Sequence, residues 1–384
     1  MTPRLARRLD EIPGFGIDKV AAAAGDDPGI LRLENLDTDL SPPAAALDAT
    51  RAAVGRADAN SWLPFTGKQE LRAAVADLIA ARGGPRHERG EVVITCGEGD
   101  SMLDAVLAVA DPGDEVIVTD PVYAGMINRV RLAGVAPRLV PMKVEDGGWR
   151  LDLDALAAAA GPRTRALFLM NPSFPTGARL SSAEWDAVTA LCREHDLWLL
   201  YWSMMEGIVF DGAEPVQPGG FDGMAGRTIT IGGVSCEWRM IGWRIGWLAG
   251  PAEIAEQLGK VHIYNGLVAG GVAQAGVLAA LQTPEEELRG CVEEWQRRRD
   301  AVLEQLDAFP AVRADGGWSL LVDTQAIGID PAEASSRLLA ERVAATPMHG
   351  WGGDVAARHL RIVFSTEPLE RLALLGERMR AALG

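Results

Sequence analysis

From residue 66 onward the chain alternates between stretches of helical period and short apolar runs rich in β-branched residues, and this alternation restricts the possible folds more than any other feature. The apolar runs are EVVIT (91–95), EVIVTD (115–120), PRLVPM (137–142), ALFLM (166–170), LWLLYW (197–202) and TITIGG (228–233), with helical or turn-rich segments between several of them. Thr66 and Gln69 have capping-box spacing, after which Leu71, Val75, Leu78 and Ile79 share one helical face up to Gly83 and Gly84. Ser181 and Glu184 repeat that spacing ahead of a helix expected to end near His195. Strands apolar on both faces and joined by helices make a mostly parallel sheet with helices on both sides. Ligands of such sheets sit beyond the carboxyl ends of the strands, which directs attention to 97–101, 121–123, 171–177, 202–206 and 235–244.

After about residue 275 the pattern changes to a charged helix (EEELRGCVEEWQRRRDAVLEQL), the segment GGWSLLVD, another helix and HLRIVF, which reads as a smaller α+β domain. The expected division is 1–45 as an N-terminal arm and part of the small domain, 46–275 as the large α/β domain, and 276–384 as the small C-terminal domain. The charged helix reads as a solvated face.

A formal net charge of −16 and a pI near 4.8 argue against nucleic acid or an anionic membrane as the main partner, because the overall field repels phosphates. The N-terminal MTPRLARRLDEIPG has no apolar stretch of signal-peptide length behind it, and no run approaches a bilayer span, so a soluble cytoplasmic protein is expected. Cys96, Cys192, Cys236 and Cys291 are widely spaced and form no CxxC, which indicates reduced thiols and no metal site.

Four ordered segments carry a resemblance across nearly the whole chain. NPSFPTG (171–177) resembles the NPxNPTG motif of the class I/II aminotransferases, which are pyridoxal-phosphate-dependent enzymes of fold type I. DPVY (120–123) is similar to their segment bearing the ring-stacking aromatic, GWRIG (242–246) to the arginine-bearing phosphate segment, and HLRIVFS (359–365) to the segment with the carboxylate-binding arginine. The resemblance implies an aspartate-aminotransferase-like large domain with a mostly parallel seven-stranded sheet, a smaller α+β domain, and a homodimer with sites at the subunit interface.

It also implies a Schiff-base lysine, an aspartate at the pyridine nitrogen and a tyrosine at the ring oxygen. Counted along the motifs, those places hold Cys236, Trp202 and Met205. The tyrosine normally donated by the partner subunit to the phosphate appears as Trp62, and the second asparagine of NPxNPTG is Phe174. Without an amine at 236 there is no covalent attachment and no base for the substrate's alpha carbon. Without the carboxylate the ring nitrogen loses the group that keeps it protonated. Other features persist: Ser235 and Arg244 match phosphate ligands, Gly99 and Asp100 open a helix whose amides face an anion, Tyr123 stacks, Asn171 donates a hydrogen bond, and Arg361 clamps a carboxylate.

Each of these has a plainer reading. Cys236 is either a small buried apolar residue or a nucleophile whose pKa Arg244 or Arg239 lowers against Glu237. Trp202, Met205, Trp62 and Trp238 either fill the core or form an aromatic cage. Arg244 and Arg361 read as ligand-binding through their motif context, and His349 as a solvated loop histidine.

The expectation at this level is an enzyme without a cofactor and unlike a working transaminase: a cyclase, isomerase, lyase or condensation enzyme of specialised biosynthesis. Its substrate would be an amino-acid-derived carboxylate held by Arg361, Asn171, Tyr123, Trp202, Met205 and Trp62, with Cys236 or Glu237 carrying protons. Two alternatives stand beside it: an enzyme holding pyridoxal or pyridoxamine phosphate non-covalently, and a non-catalytic binding protein or inactive partner subunit.

Overall fold

The structure is a computed structural model that describes residues 5–14 and 16–384. Residues 1–4 of the N-terminal segment, with Phe15, lie outside it. The chain enters through the short strand β1 (Leu31–Arg32) and then builds a sheet from β2 (Val92–Thr95), β3 (Glu115–Asp120), β4 (Ala136–Glu145), β5 (Gly148–Leu151), β6 (Thr164–Met170), β7 (Trp198–Trp202), β8 (Thr228–Gly233) and β9 (Gly246–Ala249). Their order is β2-β9-β8-β7-β6-β3-β4-β5. The β8-β7-β6-β3-β4 run is parallel, and the outer pairings with β9, β2 and β5 are antiparallel.

The sheet has eight strands where the resemblance implies seven, because β5 folds back on β4 through the two-residue turn Asp146-Gly147. Both turn residues have positive φ, 51° and 76°, the conformation that matches the twist of a tight hairpin. Leu167, Phe168, Leu199 and Leu200 are fully buried in the central strands. Each such side chain contributes roughly 1.5–3 kcal/mol, and burial on both faces explains why these runs are continuously apolar.

The Ser181–Glu184 capping box forms: Glu184 N donates to Ser181 Oγ (3.3 Å) and Ser181 N to Glu184 Oε2 (2.7 Å). The expected Thr66–Gln69 box does not. That helix, Gln69–Ala81, starts after Lys68 with no side-chain cap. Gly67, at φ 91°, turns the chain between them, and the Thr66 carbonyl accepts from Ile94 N in β2 (3.0 Å).

The second sheet is antiparallel, with order β10 (Ala311–Val312), β11 (Ser319–Asp323), β14 (His359–Val363), β13 (Thr346–Pro347). β1 pairs in parallel with β12 (Val343–Ala344), which carries Glu34 to the side of β14. The helix Glu285–Gln305 corrects the solvated-face reading: Trp295, Arg298, Arg299 and Val302 are buried on it, with Arg298 bonded to Asp39 (2.7 Å) and Arg299 to Asp211 (2.8 Å). Among the described residues no helix is long and apolar enough to cross a membrane.

Candidate active site

The parallel strands end on one side of the sheet, and the residues that follow them converge there. Tyr123 comes after β3, Asn171 after β6, Trp202 closes β7, and Ser235 and Cys236 follow β8. Tyr123 sits at the centre of an aromatic group, with ring centroids 5.5 Å from Trp202, 5.6 Å from Phe174 and 5.6 Å from Trp351. Trp351 is placed by Asp120, whose carboxylate accepts from Val355 N (3.1 Å) and Ala356 N (3.0 Å), and by Val122 N donating to the Trp351 carbonyl (2.8 Å). The aspartate of DPVY therefore builds the rim of the site.

Arg361 lies beside this group on β14, fully buried. Its guanidinium is 5.1 Å from the Phe174 ring centroid and 4.6 Å from that of Trp351. Nη2 donates to the Glu34 carbonyl and to Thr346 Oγ1 (3.4 Å), while Nε and Nη1 have no partner. Burial without a bonded carboxylate pulls this arginine down to about 9. A buried cation with two donors unused is a receptor for an anion.

Around Ser235 the charges are arranged differently. Ser235 Oγ donates to Glu98 Oε2 (2.6 Å), and Glu98 is buried as the first residue of the helix Glu98–Val109. Arg244 is exposed, at φ 52°, in the left-handed region that costs a non-glycine residue of order 1–3 kcal/mol. Its Nη1 donates to the Ile241 carbonyl (2.9 Å), and a Cβ on Gly97 would lie 2.7 Å from its Nη2. Gly99 offers its carbonyl to Arg129 Nε (2.6 Å). Asp100 turns away from Ser235: its carboxylate accepts from Cys96 N and Asn265 and lies 3.3 Å from His262 Nδ1. Asp100, Asp104 and His262 bring three donor atoms within 4.8 Å. Burial opposes the imidazolium, but the two carboxylates raise it to about 9, so the ring is protonated at neutral pH and ion pairing accounts for the cluster.

Cys236 is buried, and burial, reinforced by Glu98, Glu237 and Asp37, pushes its thiol well above the ordinary range against the pull of Arg244. The folded protein is expected to resist iodoacetamide at Cys236 at mildly alkaline pH, with labelling appearing only on unfolding; peptide mapping of rapid Cys236 labelling in the native state would show the thiol to be active. Glu237 faces Arg82 (2.6 Å) and Gly207 N (2.6 Å), not the aromatic group. Asn171 Oδ1 accepts from Leu180 N (2.8 Å), which shapes the loop after β6. Met205 is buried and Trp202 keeps its indole N–H without a partner. Trp62 is 72% exposed against Phe65, outside this group, and His349 is an exposed residue 3.5 Å from Asp330. A surface cavity of about 870 Å³ lined by Arg150, Arg179 and Trp185 includes none of the expected site residues.

Three contributors escape a reading by motif: Glu98, Trp351 as an arginine-stacking ring, and the Glu34 carbonyl. Glu98 had one visible signal, a long charged side chain in the otherwise small GEGDS turn.

A parallel sheet with a buried arginine on a second sheet beside its strand ends is the arrangement of the fold type I transferases. The chain belongs to the aminotransferase class I and II family, whose model matches residues 31–374. It is 33% identical over 347 residues to an arginine–pyruvate transaminase of Pseudomonas aeruginosa, covering 88% of this chain and 87% of that protein. It is 32% identical over 381 residues to an aspartate/prephenate aminotransferase of Thermus thermophilus, covering 97% and 93%. The N-succinyldiaminopimelate aminotransferase structure from Mycobacterium tuberculosis superposes with a TM-score of 0.92 at 30% identity, covering 99% of this chain and all of that one.

These findings overturn the expected cofactor-free cyclase, isomerase, lyase or condensation enzyme of specialised metabolism. Relatives over most of the chain are named for amino-group transfer, and nothing in their names supports an activity without a cofactor or a loss of transaminase function. Trp202, Met205 and Cys236 sit within the frame that those relatives share.

Proposed function

We propose that this chain is an amino-group-transfer enzyme that holds pyridoxal or pyridoxamine phosphate without a covalent bond, and that its substrates are amino and oxo acids bound through their carboxylate. The observation that carries the reading is Arg361, a buried guanidinium with Nε and Nη1 unused beside Tyr123, Phe174 and Trp351. The names of the relatives support transamination as the reaction.

The residues fit the cofactor on its anionic side. Ser235 Oγ, the amides opening the Glu98–Val109 helix and Arg244 would hold the phosphate, and Tyr123 would stack on the ring. Position 236, where the resemblance places the amine, is cysteine; Lys68, Lys143 and Lys260 pair with Asp58, Asp152 and Glu256, and Lys19 is exposed on the helix Gly16–Ala24, which supports non-covalent binding. When bound, the cofactor supplies the electron-withdrawing ring that amino-group transfer needs. Arg361 fixes the substrate carboxylate, and the rings around it exclude water from that pair. Trp202 presents an unused N–H donor in place of a carboxylate, an environment suited to an unprotonated ring nitrogen.

The domain division 1–45, 46–275 and 276–384 belongs to this reading, as does a homodimer that takes the exposed Trp62 to the neighbouring subunit's site. The free thiols support a reducing cytoplasm. Titration of the full chain with pyridoxamine phosphate, followed by calorimetry and native mass spectrometry, is expected to show saturable binding of one molecule per subunit. The loaded protein is expected to convert a 2-oxo acid to its amino acid in a single turnover. With pyridoxal phosphate, borohydride is expected to fix no mass at position 236. Absence of binding at millimolar cofactor would overturn the proposal and favour a carboxylate-binding protein.

A further inference from the structure

The Glu98 carboxylate occupies the place where the phosphate reading requires an anion. It takes the Ser235 hydroxyl hydrogen at 2.6 Å, it is 3% exposed, and its Oε1 has no hydrogen-bond partner. Around it the backbone is stripped of side chains. A Cβ on Gly233 would collide with the Glu98 carboxyl group, one on Gly246 would lie 2.8 Å from Glu98 N, and Gly97 runs against the Arg244 guanidinium. Glu98 thus stands at the first turn of its own helix, where the dipole favours negative charge. Ser235, the helix amides and Arg244 also draw its carboxyl toward ionisation, against the burial that dominates and leaves it above the usual carboxylate range.

We propose that Glu98 is a built-in occupant of the anion cup, which a phosphate group must displace before it binds. The inference rests on the proposed cofactor site and adds a residue that sets its selectivity. Carboxylate and phosphate cannot both take the Ser235 hydrogen, and two anions sharing one buried cup repel each other. Phosphate binding is therefore coupled to rotation of Glu98 out of the cup. A ligand without a phosphate meets no such competition.

The test is calorimetric titration of the wild-type full chain, Glu98→Gln and Glu98→Ala with three probes: orthophosphate, pyridoxamine phosphate and pyridoxamine. Both variants are expected to bind orthophosphate and pyridoxamine phosphate at least about tenfold more tightly than wild type, with pyridoxamine affinity unchanged. Glu98→Gln keeps the side-chain shape, so it guards against a folding defect in Glu98→Ala, and thermal melting of each variant checks this. Equal or weaker phosphate binding in both folded variants overturns the proposal and leaves Glu98 as a helix-start hydrogen-bond partner. Tighter orthophosphate without any pyridoxamine phosphate binding keeps the proposal and defeats the cofactor reading. Equal pyridoxamine phosphate affinity in all three proteins does the reverse, and no binding of any probe to any protein rejects both.

Discussion

Arg361→Met is expected to lower kcat/KM for a carboxylate-bearing substrate by roughly 10²- to 10³-fold while leaving the melting temperature unchanged or higher. Losing a charged partner from a desolvated ion pair costs about 2–5 kcal/mol, roughly 30- to 5,000-fold in rate, which brackets that range. The stability side has the opposite sign because Arg361 is fully buried with Nε and Nη1 unpaired, a cost to folding that methionine among Phe174 and Trp351 removes. The pH sign agrees. The arginine sits at about 9 in the folded protein, well below the usual arginine range. The unfolded chain therefore holds the extra proton between that value and the usual range, and this group's penalty is relieved as pH rises through that window.

A dicarboxylate such as maleate is expected to raise the melting temperature of wild type and not of Arg361→Met, since only the first has a counter-charge to receive it. A variant that melts several degrees lower yet turns over normally would make Arg361 a structural residue.

The second large effect is on stability. Arg82→Ala is expected to destabilise the fold by about 3–5 kcal/mol near neutral pH, measured by urea unfolding, because it strands two buried carboxylates. Arg82 donates to Glu206 Oε2 (3.0 Å) and Glu237 Oε2 (2.6 Å), and both glutamates are 1% exposed. Burial has already pushed Glu206 up to about 7, against the pull of Arg82. Because that value lies above the unfolded carboxyl range, the folded state keeps the proton longer, and this group's contribution declines as pH rises from the unfolded value through about 7. Removing the guanidinium takes away the pull that opposes this burial and raises Glu206 further. The deficit relative to wild type is therefore expected to be smaller at about pH 5 and to grow as pH rises past about 7. A loss independent of pH would trace the damage to packing against Trp238, whose ring lies 5.9 Å from the guanidinium, and not to stranded charge.

Much of this architecture is legible in the chain itself. Central strands such as ALFLM and TITIGG are buried on both faces, so their apolar runs are continuous and mark the parallel core directly. Ser181 and Glu184 close their capping box because both partners lie within one turn, whereas Thr66 is diverted to β2 by contacts that no local spacing records. Asp146-Gly147 carries the signal for the hairpin that adds the eighth strand, although the family resemblance masks it by implying seven. The places of Arg361, Tyr123, Asn171 and Ser235 follow from ordered motifs, since each stands at a fixed offset from a strand end.

What the sequence determined by itself was the alternation of strands and helices, the strand ends where the motif residues gather, and the residue types available there, including cysteine at 236. Only the tertiary structure decided which partners those residues take. Glu98 reaches Ser235 across 137 positions, Arg82 reaches Glu237 across 155, and Arg361 meets the Glu34 carbonyl across 327. Secondary structure is set by interactions within a turn or between neighbouring residues, which a linear pattern preserves. The charge state and hydrogen bonding of a buried side chain depend on groups that are close only once the sheets have packed, and no local pattern holds that information.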